Sequence, residues 1–139
     1  MLMKSLVIDT NCLVQMISRH SPYRKIWDDF LNRRFQLCVS NEILDEYQEI
    51  IERQTSYRVA EKVVLLILNS RNVSFIDPHF RLALILEDPD DNKFVDCAFA
   101  ANADFLVSND RHFDILRKIP FPHLNIVTMD ELLTTNYLE

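Results

Sequence analysis

The chain contains no glycine, where an average usage near 7% would place about ten in a protein of 139 residues. That absence excludes every site class built on a glycine-rich turn: the P-loop, the dinucleotide-binding turn and the nucleophile elbow all need Gly at fixed positions. Long apolar runs are missing too. The first eight residues are too short for the apolar core of a secretory leader, and nothing approaches the ~20 residues of a membrane span, so a soluble, cytoplasmic protein with no membrane partner is expected. Only three cysteines occur, and Cys12, Cys38 and Cys97 stand in apolar stretches without metal-ligand spacing, as reduced buried thiols would. The histidines, His20, His79, His112 and His123, are equally scattered, and surface or capping duties are expected of all four.

Positive charge is also in deficit. The net charge is -6, and residues 87 to 114 carry eight acids against only Lys93 and Arg111. Such a patch repels polyphosphates unless cations sit in it, which argues against a passive nucleic-acid binder and is compatible with a metal-dependent enzyme. Arg19, Arg24, Lys25, Arg33 and Arg34 form the one basic cluster, with a solvated helix face as the favoured reading and phosphate contacts as the alternative.

What is present is a set of short apolar runs separated by helical periodicity. Residues 5 to 8 read as a buried parallel strand ending at Asp9, followed by a helix to about Ser18 that Thr10 and Asn11 are placed to cap. Ser21-Pro22 opens a second helix with Tyr23, Ile26, Trp27 and Phe30 on one face. Phe35 to Val39 is a strand, and Ser40 caps a helix reaching about Arg53 with Ile43, Leu44, Tyr47, Ile50 and Ile51 as its apolar stripe. A helix over residues 56 to 70 carries Val59, Val63, Leu66 and Ile67 at spacing for burial. A strand at Val73 to Ile76, a helix from Asp91 to Asn102, a strand at Phe105 to Ser108, a short helix from about Phe113, a strand at Asn125 to Val127 and a helix from Met129 complete a single domain spanning residues 1 to 139. Strands alternating with helices predict an α/β domain with a central parallel five-stranded sheet flanked by helices.

Acids stand at the exits of this sheet. Asp9 ends the first strand, Glu46 lies on the helix after the second, Asp91 opens a helix, and Asp110 follows the strand at 105 to 108. Strand carboxyl ends share one edge, so these carboxylates can converge although they are remote in sequence. Hard oxygen ligands suit Mg²⁺ or Mn²⁺, and three or four acids can hold one ion, or two about 4 Å apart. Each acid has a plainer use. Asp9 can cap a helix, Glu46 shares its helix with Glu42, Asp45 and Glu49, and Asp110 can close a turn. Asp91 competes with Asp88, Asp90 and Asp96; Asp96 lies about 140° around the helix from Asp91, so both cannot point squarely at one ion.

The same segments resemble a known family. Val7-Ile8-Asp9-Thr10-Asn11, Ser40-Asn41-Glu42-Ile43-Leu44-Asp45-Glu46, Asp88-Pro89-Asp90-Asp91-Asn92-Lys93-Phe94 and Ala103-Asp104-Phe105-Leu106-Val107-Ser108-Asn109-Asp110 are similar, in order, to the four acidic blocks of PIN-domain ribonucleases, specifically the VapC-like toxins of toxin–antitoxin pairs. Residues 125 to 133 resemble the family's closing strand and helix. The resemblance selects Asp9, Glu46, Asp91 and Asp110 as the metal-binding and catalytic acids, with Asn11, Asp96 and Ser108 in support. It implies a Mg²⁺- or Mn²⁺-dependent endoribonuclease that hydrolyses RNA phosphodiesters, a cognate antitoxin protein as partner, and a homodimer. Where the family usually places Gly before Ala-Asp, this chain has Asn102, the residue best able to take the left-handed conformation in its place. The competing expectation is a non-catalytic interaction module on the same fold. A phosphoacceptor domain of the doubly wound type ranks last, because the acidic pair it needs beside its first strand is missing.

Overall fold

The computed structural model describes residues 3–79, 81–85, 89–119, 123–135 and 137. Strands β1 (Ser5–Ile8), β2 (Gln36–Val39), β3 (Val73–Phe75), β4 (Phe105–Val107) and β5 (Ile126–Val127) form one sheet in the order β3-β2-β1-β4-β5, with every pairing parallel. Leu6, Val7 and Ile8 are fully buried, as a central parallel strand covered on both faces requires.

The helices are α1 (Thr10–Ile17), α2 (Arg24–Leu31), α3 (Asn41–Gln54), α4 (Tyr57–Leu68), α5 (Asn92–Ala101) and α6 (Met129–Thr134), with 3-10 segments at Pro89–Asp91 and Arg111–Arg117. Helix α5 packs across β1, β2 and β4, while α1 contacts α2 and α3, and α3 contacts α4. Ile26, Trp27 and Phe30 of α2 and Ile43, Leu44, Tyr47 and Ile51 of α3 enter the core as their spacing predicts, and all three cysteines are buried thiols. Burial pushes the Cys38 thiol up to about 11 and the Cys97 thiol up to about 12, which leaves both unreactive at neutral pH.

Several local expectations are corrected. Asp9, in extended backbone geometry, is itself the N-cap of α1, so Thr10 and Asn11 lie inside the helix rather than capping it. Helix α2 starts at Arg24, after a turn in which the Ser21 hydroxyl accepts from the Tyr23 amide at 3.0 Å. On α4, Val63 and Ile67 are buried but Val59 and Leu66 are exposed, because the α3–α4 pair leaves one edge of the stripe uncovered. Asn102 does take the glycine role: it ends α5 at φ 50°, ψ 48°.

The chain lays down β1, β2 and β3 in one direction and then returns to the other side of β1 for β4 and β5. The strand order therefore reverses between β1 and β4, and in open parallel sheets the crevice beyond such a reversal is where ligands bind.

Candidate active site

Register fixes the heart of the site. Ile8 pairs with Val107, and the Asp9 amide donates to the Val107 carbonyl at 3.0 Å, so Asp9 and Ser108 leave the sheet side by side. Asp9 is buried. Its Oδ1 accepts from the Cys12 amide at 2.8 Å, and its Oδ2 accepts from the Ser108 hydroxyl. Ser108 Oγ in turn accepts from the Asp110 amide at 3.0 Å, which ties the two acidic loops together through one hydroxyl. Burial raises the Asp9 carboxyl above its usual range; the hydrogen bonds from Ser108 and Cys12 hold it down in part, and the nearby Asp110 charge adds to the rise.

Asp110 caps the 3-10 helix that follows, accepting from the His112 amide at 2.9 Å. The His112 ring folds back over it. Nδ1 lies 3.2 Å from Asp110 Oδ1 and 3.3 Å from Asp91 Oδ2. Asp91 closes the 3-10 turn at the N-terminus of α5 without using its side chain as a cap, so its carboxylate faces the β4 exit instead. Asp91, Asp110 and His112 each offer a ligand atom within 4.8 Å of the others. Sequence reasoning gave His112 surface or capping duties, because ligand spacing along the chain cannot register a partner at position 91; the i, i+2 pair Asp110 and His112 after a strand was the available signal.

Glu46, on α3, is not part of the Asp91–Asp110–His112 cluster. It accepts from the Thr10 hydroxyl and forms a 2.7 Å ion pair with Lys93 of α5. Tyr47, one residue on, is fully buried and donates its hydroxyl to the Ile8 carbonyl, which anchors α3 against the end of β1. Asp96 takes a different position. It accepts from the Leu82 amide at 3.0 Å and lines a separate cleft with Ser40, Glu42, Arg81 and Lys93, outside the Asp91–Asp110 cluster. Asp88 lies outside the described residues. Asn11 is exposed and, among the described residues, makes no hydrogen bond to Asp9; it lines an open cleft of about 400 Å³ with Asp9, Gln15, Gln54, Asn109 and Asp110.

The basic cluster is largely committed elsewhere. Arg24 pairs with Asp28, and Lys25 and Arg34 pair with buried Asp29, which also accepts from the Tyr137 hydroxyl at 2.6 Å.

The donor set suits a hard divalent cation: two carboxylates and one ring nitrogen lie within ligand–ligand reach, while Asp9 stands outside that group and is tied through Ser108 to the Asp110 backbone amide. An ion there would also relieve the conflict that the buried Asp9 and its neighbour Asp110 create.

The PIN-domain profile matches residues 5–112, which include all four acidic segments, and the chain belongs to that family. Solved structures agree on the fold. VapBC2 of Rickettsia felis, bound to a DNA fragment from its promoter, superposes with TM-score 0.62 at 20% identity, covering 89% of this chain and 98% of that one. VapBC of Salmonella typhimurium gives 0.60 at 18%, covering 91% and 99%. Mycobacterium tuberculosis VapC20, a Sarcin-Ricin loop cleaving toxin, gives 0.60 at 13%, covering 79% and 93%. Among curated proteins none matches by sequence. No described helix is long and apolar enough to cross a membrane.

Proposed function

We propose that the protein is a divalent-metal-dependent endoribonuclease, the toxin of a toxin–antitoxin pair. The observation that supports this reading is the cluster of Asp91, Asp110 and His112 at the strand-order reversal, with Asp9 linked through the Ser108 hydroxyl to the Asp110 amide beside it. Asp9, Asp91 and Asp110 would hold Mg²⁺ or Mn²⁺, with Glu46 on the α3 side. A bound dication supplies a water of lowered pKa and stabilises charge on the scissile phosphate. Ser108 fixes the rotamer of Asp9, Tyr47 holds the loop behind it, and Asn11 stands on the cleft wall where an RNA strand would pass.

The partner reading has its own support. The uncovered edge of α4 forms a groove with α1 and α2 in which Val14, Ile17, Trp27, Val59, Val63 and Leu66 are joined by Arg19, Arg24 and Lys62, a mixed lining that suits an amphipathic antitoxin segment. Tyr57, Leu65 and Leu68, exposed on α4, are compatible with a homodimer.

The test is cleavage of a single-stranded RNA pool by the purified protein with Mg²⁺, with Mn²⁺ and with EDTA. Cleavage is expected only with metal and is expected to fall at least about 100-fold in Asp9→Asn and Asp110→Asn. Undiminished cleavage in both variants, or none under any metal, would remove the enzyme and leave the non-catalytic module. Expression is expected to arrest growth, and Asp9→Asn to relieve the arrest.

A further inference from the structure

We propose that His112 is a metal ligand, its Nδ1 joining Asp91 and Asp110 in a mixed nitrogen–oxygen set that favours a transition-metal dication over Mg²⁺; this rests on the metal-dependent reading above. The geometry is the first reason. Two ligands at right angles on an octahedral ion with bonds of about 2.1 Å lie about 3.0 Å apart. Nδ1 stands 3.2 Å from one carboxylate oxygen and 3.3 Å from the other, close to that edge length. The second reason is how the ring is held. The His112 amide donates to Asp110 at 2.9 Å, and Asp110 is tied through Ser108 to Asp9, so the backbone that carries the ring is fixed to the same carboxylates that would share the ion. Third, the ligands come from both sides of the crevice, Asp91 from the start of α5 and the other two from the β4 exit, as a site binding at a strand reversal requires.

The chemistry follows from donor type. Imidazole nitrogen binds first-row transition dications far better than Mg²⁺, whose preference is for oxygen. A purely carboxylate site would discriminate less. The rival reading is a simple ion pair, with a protonated ring bridging two acids and leaving when a cation binds.

Pulsed EPR on the tag-free protein loaded with Mn²⁺ separates these. The expected result is a ¹⁴N modulation from a directly bonded imidazole in the wild type, absent in His112→Gln and retained in His20→Gln and His123→Gln. In parallel, His112→Gln is expected to weaken Mn²⁺ binding at least about tenfold while changing Mg²⁺ binding less than about threefold, as loss of a nitrogen donor would. Mn²⁺ that binds in an Asp110-dependent manner without ¹⁴N modulation overturns the His112 assignment and leaves the metal site standing. Mn²⁺ that fails to bind, or binds equally well to Asp110→Asn, overturns both. Absence of ¹⁴N modulation in the wild type overturns the assignment even if a variant misfolds.

Discussion

The Lys93 ammonium lies 2.7 Å from a Glu46 carboxylate oxygen, and the two side chains retain only 14% and 24% of their exposure. Glu46 thus carries its own monovalent counter-charge from α5, whereas the His112 ring stands between Asp91 and Asp110, and Asp9 accepts from Ser108 and the Cys12 amide. A dication at the Asp91–Asp110 end would add positive charge to the same crevice.

Replacing Lys93 by Met should therefore expose the repulsion that the pair suppresses. Leaving one half of a half-buried pair uncompensated is expected to cost about 1–3 kcal/mol in EDTA. Saturating Mn²⁺ is expected to restore part of that loss, because the ion then offsets the Glu46 charge. Urea denaturation with and without metal measures both terms; equal losses in the two conditions would mean that Glu46 does not sense the ion.

Ser108 offers a narrower test. Its hydroxyl donates to Asp9 and accepts from the Asp110 amide, so Ser108→Ala removes a donor that lowers the Asp9 carboxyl and frees the Asp110 loop. Groups that orient ligands from behind contribute about 10–100-fold to metal affinity, and Mn²⁺ binding is expected to weaken in that range, with Ser108→Thr close to wild type. Titration calorimetry reads the ratio.

How much of this was legible in the sequence depends on the range of the cause. The apolar runs gave the five strands and their parallel pairing, and the alternation of strand and helix gave the layering. Asp9 beside Ser108 was not legible, because it needs β1 and β4 as neighbours and the alternation of strand and helix leaves the strand order open. Asn102 at φ 50° was legible because only a few residues tolerate that geometry after a helix. Other features were hidden because they depend on a second segment. Thr10 looked like a cap, yet Asp9 takes that role and frees the Thr10 hydroxyl for Glu46. His112 gained its role from Asp91, and Val59 with Leu66 stayed exposed because no described element packs over that edge of α4.

Asn102 itself provides a stability prediction independent of function. A residue with a Cβ pays about 1 kcal/mol or more to sit in the left-handed region, and Asn offsets part of that penalty. Asn102→Ala is expected to lose about 1 kcal/mol and Asn102→Gly to be neutral or stabilising, both read from thermal unfolding in EDTA. A loss on introducing glycine would mean that the Asn side chain, not the backbone, holds the α5 terminus.

The choice between Asp91 and Asp96 can be settled by a pair of substitutions with opposite expected signatures. Asp91 stands 3.3 Å from His112 at the crevice, so Asp91→Asn should cost at least about tenfold in Mn²⁺ affinity, the scale of losing one charged ligand. Asp96 is buried in the neighbouring cleft, where burial raises its carboxyl, the Leu82 amide and Arg81 lower it, and Glu42 raises it further. Below 3.8 both folded and unfolded chains hold the proton there, and Asp96 adds no pH dependence. Above that value the unfolded chain releases its proton first, so the folded state loses stability as pH rises until its own raised carboxyl has ionised. Asp96→Asn keeps an acceptor for Leu82 and removes the charge. It is therefore expected to be as stable as wild type at pH 3 and more stable at pH 7, with Mn²⁺ affinity unchanged within about twofold. Loss of metal binding in Asp96→Asn with Asp91→Asn unaffected would reverse the assignment, placing the ion on the opposite side of α5 from the Ser108 exit.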